Sequence, residues 1–266
     1  MSIVAGYMVP HPPIAVHEIG RGEEIKIKDT INSFTEVAQD IARIKPETII
    51  ITSPHSIMYR DYFHISPREG ARGDFGNFRA SHVKFDVKYD VDLVAAISDI
   101  AAEENFPAGC DGERDPHLDH GTMVPLYFIN KEYADAKIIR IGLSGLSLKA
   151  HWQFGRLIDK AVNKLNRKCV FVASGDLSHC QKKDGPYGFK AEGPMYDERI
   201  MEVMGSGNFA ALEDFEEVFL DKAQECGHRS FTIMGGALEG KNITTKQLSH
   251  EATFGVGYGF CMYHVK

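Results

Sequence analysis

Residues 48–52, Thr-Ile-Ile-Ile-Thr, form an unbroken β-branched run closed by Ser53-Pro54. A run without polar alternation predicts a strand buried on both faces. Residues 3–9 (Ile-Val-Ala-Gly-Tyr-Met-Val), 137–143 (Lys-Ile-Ile-Arg-Ile-Gly-Leu) and 169–174 (Cys-Val-Phe-Val-Ala-Ser) predict further strands. After the first of these, Ile31, Phe34, Val37, Ala38, Ile41 and Ile44 recur at helical spacing, with Asp29 placed to cap the start and Pro46 to end it. Strand, helix and strand then make a unit whose two strands run parallel. Helical patterns also cover 91–104, 147–165, 229–238, and 195–220 with a break near Gly205 and Gly207. A short helix is expected to begin near Thr122. Val83, Phe85, Val87 and Tyr89 alternate with polar residues as in a half-buried strand, and 254–265 reads as an alternating, aromatic final strand. Residues 68–80 hold three glycines and three arginines, a composition that predicts a mobile surface loop over a site. Residues 17–28, 107–121 and 180–193 also read as irregular. Strands and helices alternate from end to end with no linker, low-complexity tract or repeat. The expectation is one α/β domain over 1–266 with a central, mixed or mostly parallel sheet.

Composition narrows the function classes. Hydrophobic residues are 43% and charged residues 25% of the chain, as in ordinary globular proteins. The formal net charge is -7 with no long basic run, which disfavours nucleic acid as a partner. No apolar stretch approaches the roughly 20 residues that cross a bilayer, and the first strand begins without a signal-like segment, so no membrane partner is expected. Five cysteines (Cys110, Cys169, Cys180, Cys226 and Cys261) are scattered without a C-x-x-C. That pattern argues against a disulfide framework and for a reduced, cytoplasmic setting. Neither a phosphate-binding glycine loop nor an H-E-x-x-H or G-x-S-x-G motif is present.

Candidate chemistry lies in four histidines that follow strands or sit among turn-forming residues: His11, His55, His120 and His179. In open α/β sheets, ligands bind beyond the carboxyl ends of strands, so strand-end histidines converge on one crevice. His11 stands between Pro10 and Pro12 and His55 follows Pro54, which stiffens both for metal ligation. A third ligand is needed, and a carboxylate would complete the two-histidine, one-carboxylate arrangement of non-haem iron(II) sites. Glu225, just before Cys226-Gly227 and a helical pattern, is the candidate; the plainer alternative is a first-turn glutamate favoured by the helix dipole. Cys226 is a rival ligand, and copper or zinc would fit better if the thiolate binds. Asp176 is three residues before His179, close enough to fix the imidazole tautomer and make His179 a general base, or to cap a helical turn instead. His120 is placed to hydrogen-bond an oxygen species at the metal.

In chain order these motifs are Pro10-His11-Pro12, Ser53-Pro54-His55-Ser56, Asp119-His120-Gly121, Ser174-Gly175-Asp176-Leu177-Ser178-His179 and Glu225-Cys226-Gly227 followed by Gly235-Gly236-Ala237-Leu238. Together they resemble the class III extradiol ring-cleavage dioxygenases of the LigB-like superfamily, closest to the Memo and AmmeMemoRadiSam branch, over essentially the whole chain. The resemblance implies a three-layer α/β/α fold and iron(II) on His11, His55 and Glu225. It also implies a base at His179 supported by Asp176, and a supporting histidine at His120. Memo-like members carry a cysteine where Cys226 stands. The implied substrates are a small catechol-type aromatic and O2, with ring opening beside the two hydroxyls. Two alternatives stand beside this: a Memo-like metal-binding protein that works with redox or radical partners without cleaving catechols, and a zinc-dependent hydrolase. In related bacterial chains this unit is joined to a further domain, for which 266 residues leave no room. A homo-oligomer is the expectation that the base rate for soluble chains gives.

Overall fold

The structure is a computed structural model that describes residues 2–266. In chain order the elements are β1 (Ile3–Val9), α1 (His17–Gly20), α2 (Lys28–Ile44), β2 (Thr48–Ser53), β3 (Phe63–His64), β4 (Gly70–Phe75), β5 (Ala80–Lys88), α3 (Val91–Glu103) and β6 (Ala108–Gly109). There follow α4 (His120–Glu132), β7 (Lys137–Gly142), α5 (Leu148–Lys164), β8 (Cys169–Ser174), α6 (Glu192–Ser206), α7 (Glu217–Ala223), α8 (His228–Ala237), β9 (Ile243–Glu251) and β10 (Tyr258–Val265).

Six strands form one sheet in the order β7-β2-β8-β1-β10-β9. The β-branched strands β2, β7, β8 and β1 run parallel, and β10 and β9 join antiparallel, so the sheet is mixed. Every residue of β2 and β8 is buried, as their unbroken apolar runs require. Their side chains alternate between two cores. Ile50, Phe171 and Ala173 enter one, with residues of α3, α5, α6 and α8. Ile49, Ile51, Val170 and Val172 enter the other, with residues of α2 and α4. Two cores on opposite sheet faces, each covered by helices, make the three-layer α/β/α fold that the motifs imply.

The helix expected from Asp29 is α2, but Asp29 does not cap it. Glu251 of β9 takes that role, its carboxylate accepting from the Thr30 amide and hydroxyl, both at 2.7 Å. The expected loop at 68–80 is largely strand β4, paired antiparallel with β5 as a hairpin. Helix α4 starts at His120, ahead of the expected Thr122, because the Asp119 side chain caps it by accepting from the Thr122 amide. The hydrophobic pattern does not reveal strand β9, since all of its residues are exposed or half-buried at the sheet edge. The break near Gly207 is real: α6 stops at Ser206 and Gly207 takes φ 72°.

Candidate metal centre

The parallel strands deliver His11 beyond β1, His55 beyond β2 and Asp176–His179 beyond β8, all at one end of the sheet. The Nε2 atoms of His11 and His55 lie 3.1 Å apart. His11 is 1% exposed, and its amide donates to Asp176 Oδ1 at 2.8 Å. Its tautomer follows from its neighbours. The Ser174 hydroxyl donates to the Gly121 carbonyl at 2.6 Å, so its oxygen accepts the Nδ1–H of His11 at 2.9 Å. His11 Nε2 is left with a lone pair directed at His55. On the other side, the Ser53 hydroxyl accepts from the His55 amide at 3.2 Å and donates to Asp119 at 2.5 Å, tying the end of β2 to the cap of α4.

The third candidate donor beside this pair is Cys226. Its Sγ lies 3.6 Å from His11 Nε2 and groups with His11 and His55 as a possible ligand set. The structure does not bring the Glu225 carboxylate to this pair. Glu225 Oε2 instead accepts the His228 amide at 2.6 Å in the first turn of α8, the plainer of its two sequence readings. Burial pushes its carboxyl up to about 7. What lets Cys226 reach the histidines is a backbone contact: a Cβ on Gly175 would sit 2.1 Å from Gly227 Cα. Across that contact the Asp176 amide donates to Cys226 Sγ at 3.2 Å, and the Cys226 amide donates to the Asp176 carbonyl at 3.3 Å.

The remaining histidines flank this set. The His120 ring lies 3.9 Å from that of His55, centroid to centroid, and 5.5 Å from that of His11. His179 Nδ1 donates to the Gln224 carbonyl at 2.5 Å, so that carbonyl fixes its tautomer; the expected partner, Asp176, does not. Its Nε2 is thereby left as an acceptor. Asp176, His179 and Cys226 also present ligand atoms within 4.8 Å of one another. Burial lowers His55, lowers His11 well below its ordinary value, and brings His120 down to about 4. At neutral pH these imidazoles are therefore uncharged and carry lone pairs. Burial, and then the Asp176 carboxylate, pushes the Cys226 thiol far up. Burial also raises Asp176.

The donor set fits a first-row metal. Donors about 2.0–2.3 Å from a common ion are separated by about 3.0–3.6 Å, which matches the 3.1 Å and 3.6 Å observed. A cation between them would also stabilise the thiolate that burial opposes. Removing the tautomer support is expected to weaken the site: Ser174→Ala lowers metal affinity by about 10–100-fold, measured by competition with a chelator. Unchanged affinity would show that the Ser174–His11 bond does not matter for ligation.

A cleft of about 1000 Å³ opens from His55 and His120 along the β4–β5 hairpin, with Phe78 and Met123 as apolar wall and Arg72 and Lys84 further out. Of the other histidines, His117 is on the outer wall of the cleft, while His64 and His228 are buried and bonded elsewhere, to the Asp111 and Leu212 carbonyls. Pattern reading left Ser174, Ser53 and Gln224 without functional roles, because each acts through a partner distant in sequence. Among the described residues no helix is long and apolar enough to cross a membrane.

The family model "Catalytic LigB subunit of aromatic ring-opening dioxygenase" matches residues 5–261. A protein of Clostridium acetobutylicum is 42% identical over an alignment of 266 positions that covers 97% of this chain and 57% of that protein. A MEMO1 family protein of Pyrobaculum aerophilum is 24% identical over an alignment of 155 positions that covers 55% of this chain and 52% of that protein. The chain thus spans about half the length of the curated relatives it matches. The crystal structure of an uncharacterized protein from Escherichia coli K12 superposes with a TM-score of 0.62 at 15% identity, covering 97% of this chain and 99% of that one, which shows a shared fold.

Proposed function

The chain belongs to the LigB family of aromatic ring-opening dioxygenase subunits, and from that premise we propose that it binds one metal ion on His11, His55 and Cys226 and opens a catechol-type ring with O2. The observation that carries this reading is the convergence of those donors with two further imidazoles, His120 and His179, at one end of the sheet, where His55 and His120 line the cleft.

When bound, the metal supplies Lewis acidity for the two substrate oxygens and a path for electrons toward dioxygen. The chain supplies the proton handling. His179 gives its Nδ1–H to Gln224 and keeps Nε2 free to take a phenolic proton, whose ordinary pKa is about 10. His120, neutral and tilted against the His55 ring at 3.9 Å between centroids, is placed to exchange a proton with a substrate oxygen. Phe78, edge-on to His120 at 5.5 Å, shields that exchange from water.

Oxygen uptake on a panel of catechols, with protein loaded anaerobically, tests the proposal. His179→Ala is expected to lower turnover by about 10²–10⁴-fold with metal content unchanged; full turnover in that variant would contradict the base role. Cys226 favours a second reading, because thiolates select copper or zinc over iron. In that reading the protein is a Memo-like metal-binding protein acting with redox or radical partners, and no catechol supports oxygen uptake although metal is bound.

A further inference from the structure

We propose that Arg140 is a positioning residue that builds the cleft wall leading to His120. Arg140 lies in β7 opposite Ile51 and is 1% exposed. A guanidinium is tolerated at such depth only when its donors are satisfied. Here Nε donates to the Ser66 hydroxyl at 2.8 Å, Nη2 to the Asp115 carbonyl at 3.0 Å, and Nη1 to the His117 carbonyl. Two carboxylates stand beyond these, with Glu113 Oε1 3.5 Å from Nη2 and Asp119 Oδ2 4.0 Å from Nη1.

Both carbonyl acceptors belong to the segment 113–119, which forms neither helix nor strand. That segment gives Asp115, His117, Leu118 and Asp119 to the cleft and then enters α4 at His120. A stretch without its own hydrogen-bond ladder takes its shape from outside ties. One is the Leu118 amide on the Arg72 carbonyl at 2.9 Å; another is the Arg140 fork, which bridges two alternate carbonyls. The fork is what the site requires. Lysine carries the same charge on one nitrogen and cannot span two carbonyls while also holding Ser66. Through Asp119, which caps α4 and accepts from Ser53 beside His55, the segment's position becomes the position of His120 relative to the metal ligands.

The catechol part of this inference rests on the ring-opening reading; the ordering of segment 113–119 does not. The test is hydrogen–deuterium exchange, metal content and steady-state kinetics on the full chain carrying Arg140→Met or Arg140→Lys. In both variants, metal content stays at the wild-type level and amides of 113–120 exchange about tenfold faster or more, while those of β1, β2 and β8 keep their protection. With a catechol that wild type turns over, KM rises by a larger factor than kcat falls. Unchanged exchange in 113–120, or wild-type exchange restored by lysine, would overturn the proposal. So would loss of protection throughout both variants, which would make Arg140 a core residue and not a positioning one. If Arg140→Met does not fold, Arg140→Lys carries the test. If wild type takes no catechol, the ring-opening reading fails and the exchange result still decides the role of Arg140.

Discussion

Cys226→Ala is expected to lower metal affinity by more than about a hundredfold, because even an outer partner of a metal ligand is worth about 10–100-fold. Glu225→Gln, one residue away, is expected to hold affinity within about threefold, since an amide oxygen can still accept the His228 amide and the carboxylate makes no contact with the histidines. The contrast matters more than either value. The two side chains leave adjacent positions for different partners, the thiol toward His11 at 3.6 Å and the carboxylate into the first turn of α8. Chelator competition with both variants reads the difference. Equal losses, or a greater loss in Glu225→Gln, would return the glutamate to the metal.

Gly175→Ala is expected to destabilise the fold by about 3 kcal/mol, at the upper end of what overpacking costs, and to weaken the metal site at the same time. The added methyl would lie 2.1 Å from Gly227 Cα and 3.0 Å from Gly227 N. Both are backbone atoms, so no side-chain rotation relieves the clash. The end of β8 and the turn before α8 must part. That separation breaks the paired amide contacts between Asp176 and Cys226 and draws the thiol away from His11. Urea unfolding and metal titration of the same sample measure the two effects. Wild-type stability together with wild-type affinity would show that the turn shifts freely and that the glycine contact does not set the position of Cys226.

The sequence made the sheet legible where burial is two-sided. β2 and β8 are β-branched or apolar up to their terminal serines because both faces of each strand meet a helix layer. The same logic hid β9, an edge strand whose outward residues carry no apolar period. It hid β4 as well, where Gly70, Arg72 and Gly73 are held by pairing with β5 and not by a hydrophobic face. The histidines were readable because each lies at a strand or helix end marked by proline, aspartate or glycine. The choice between Glu225 and Cys226 was not readable. Spacing gives adjacent residues equal claims, and the deciding contact joins Gly175 to Gly227 across the fold. Arg140 was hidden for a similar reason: its partners at 113–119 lie more than 20 residues earlier in the chain.

X-ray absorption at the metal edge of anaerobically loaded protein tests the central claim most directly. One sulfur scatterer is expected at about 2.3 Å with nitrogen scatterers at about 2.0–2.1 Å, and the sulfur is lost in Cys226→Ala. A shell of nitrogen and oxygen alone in the wild-type protein would contradict it.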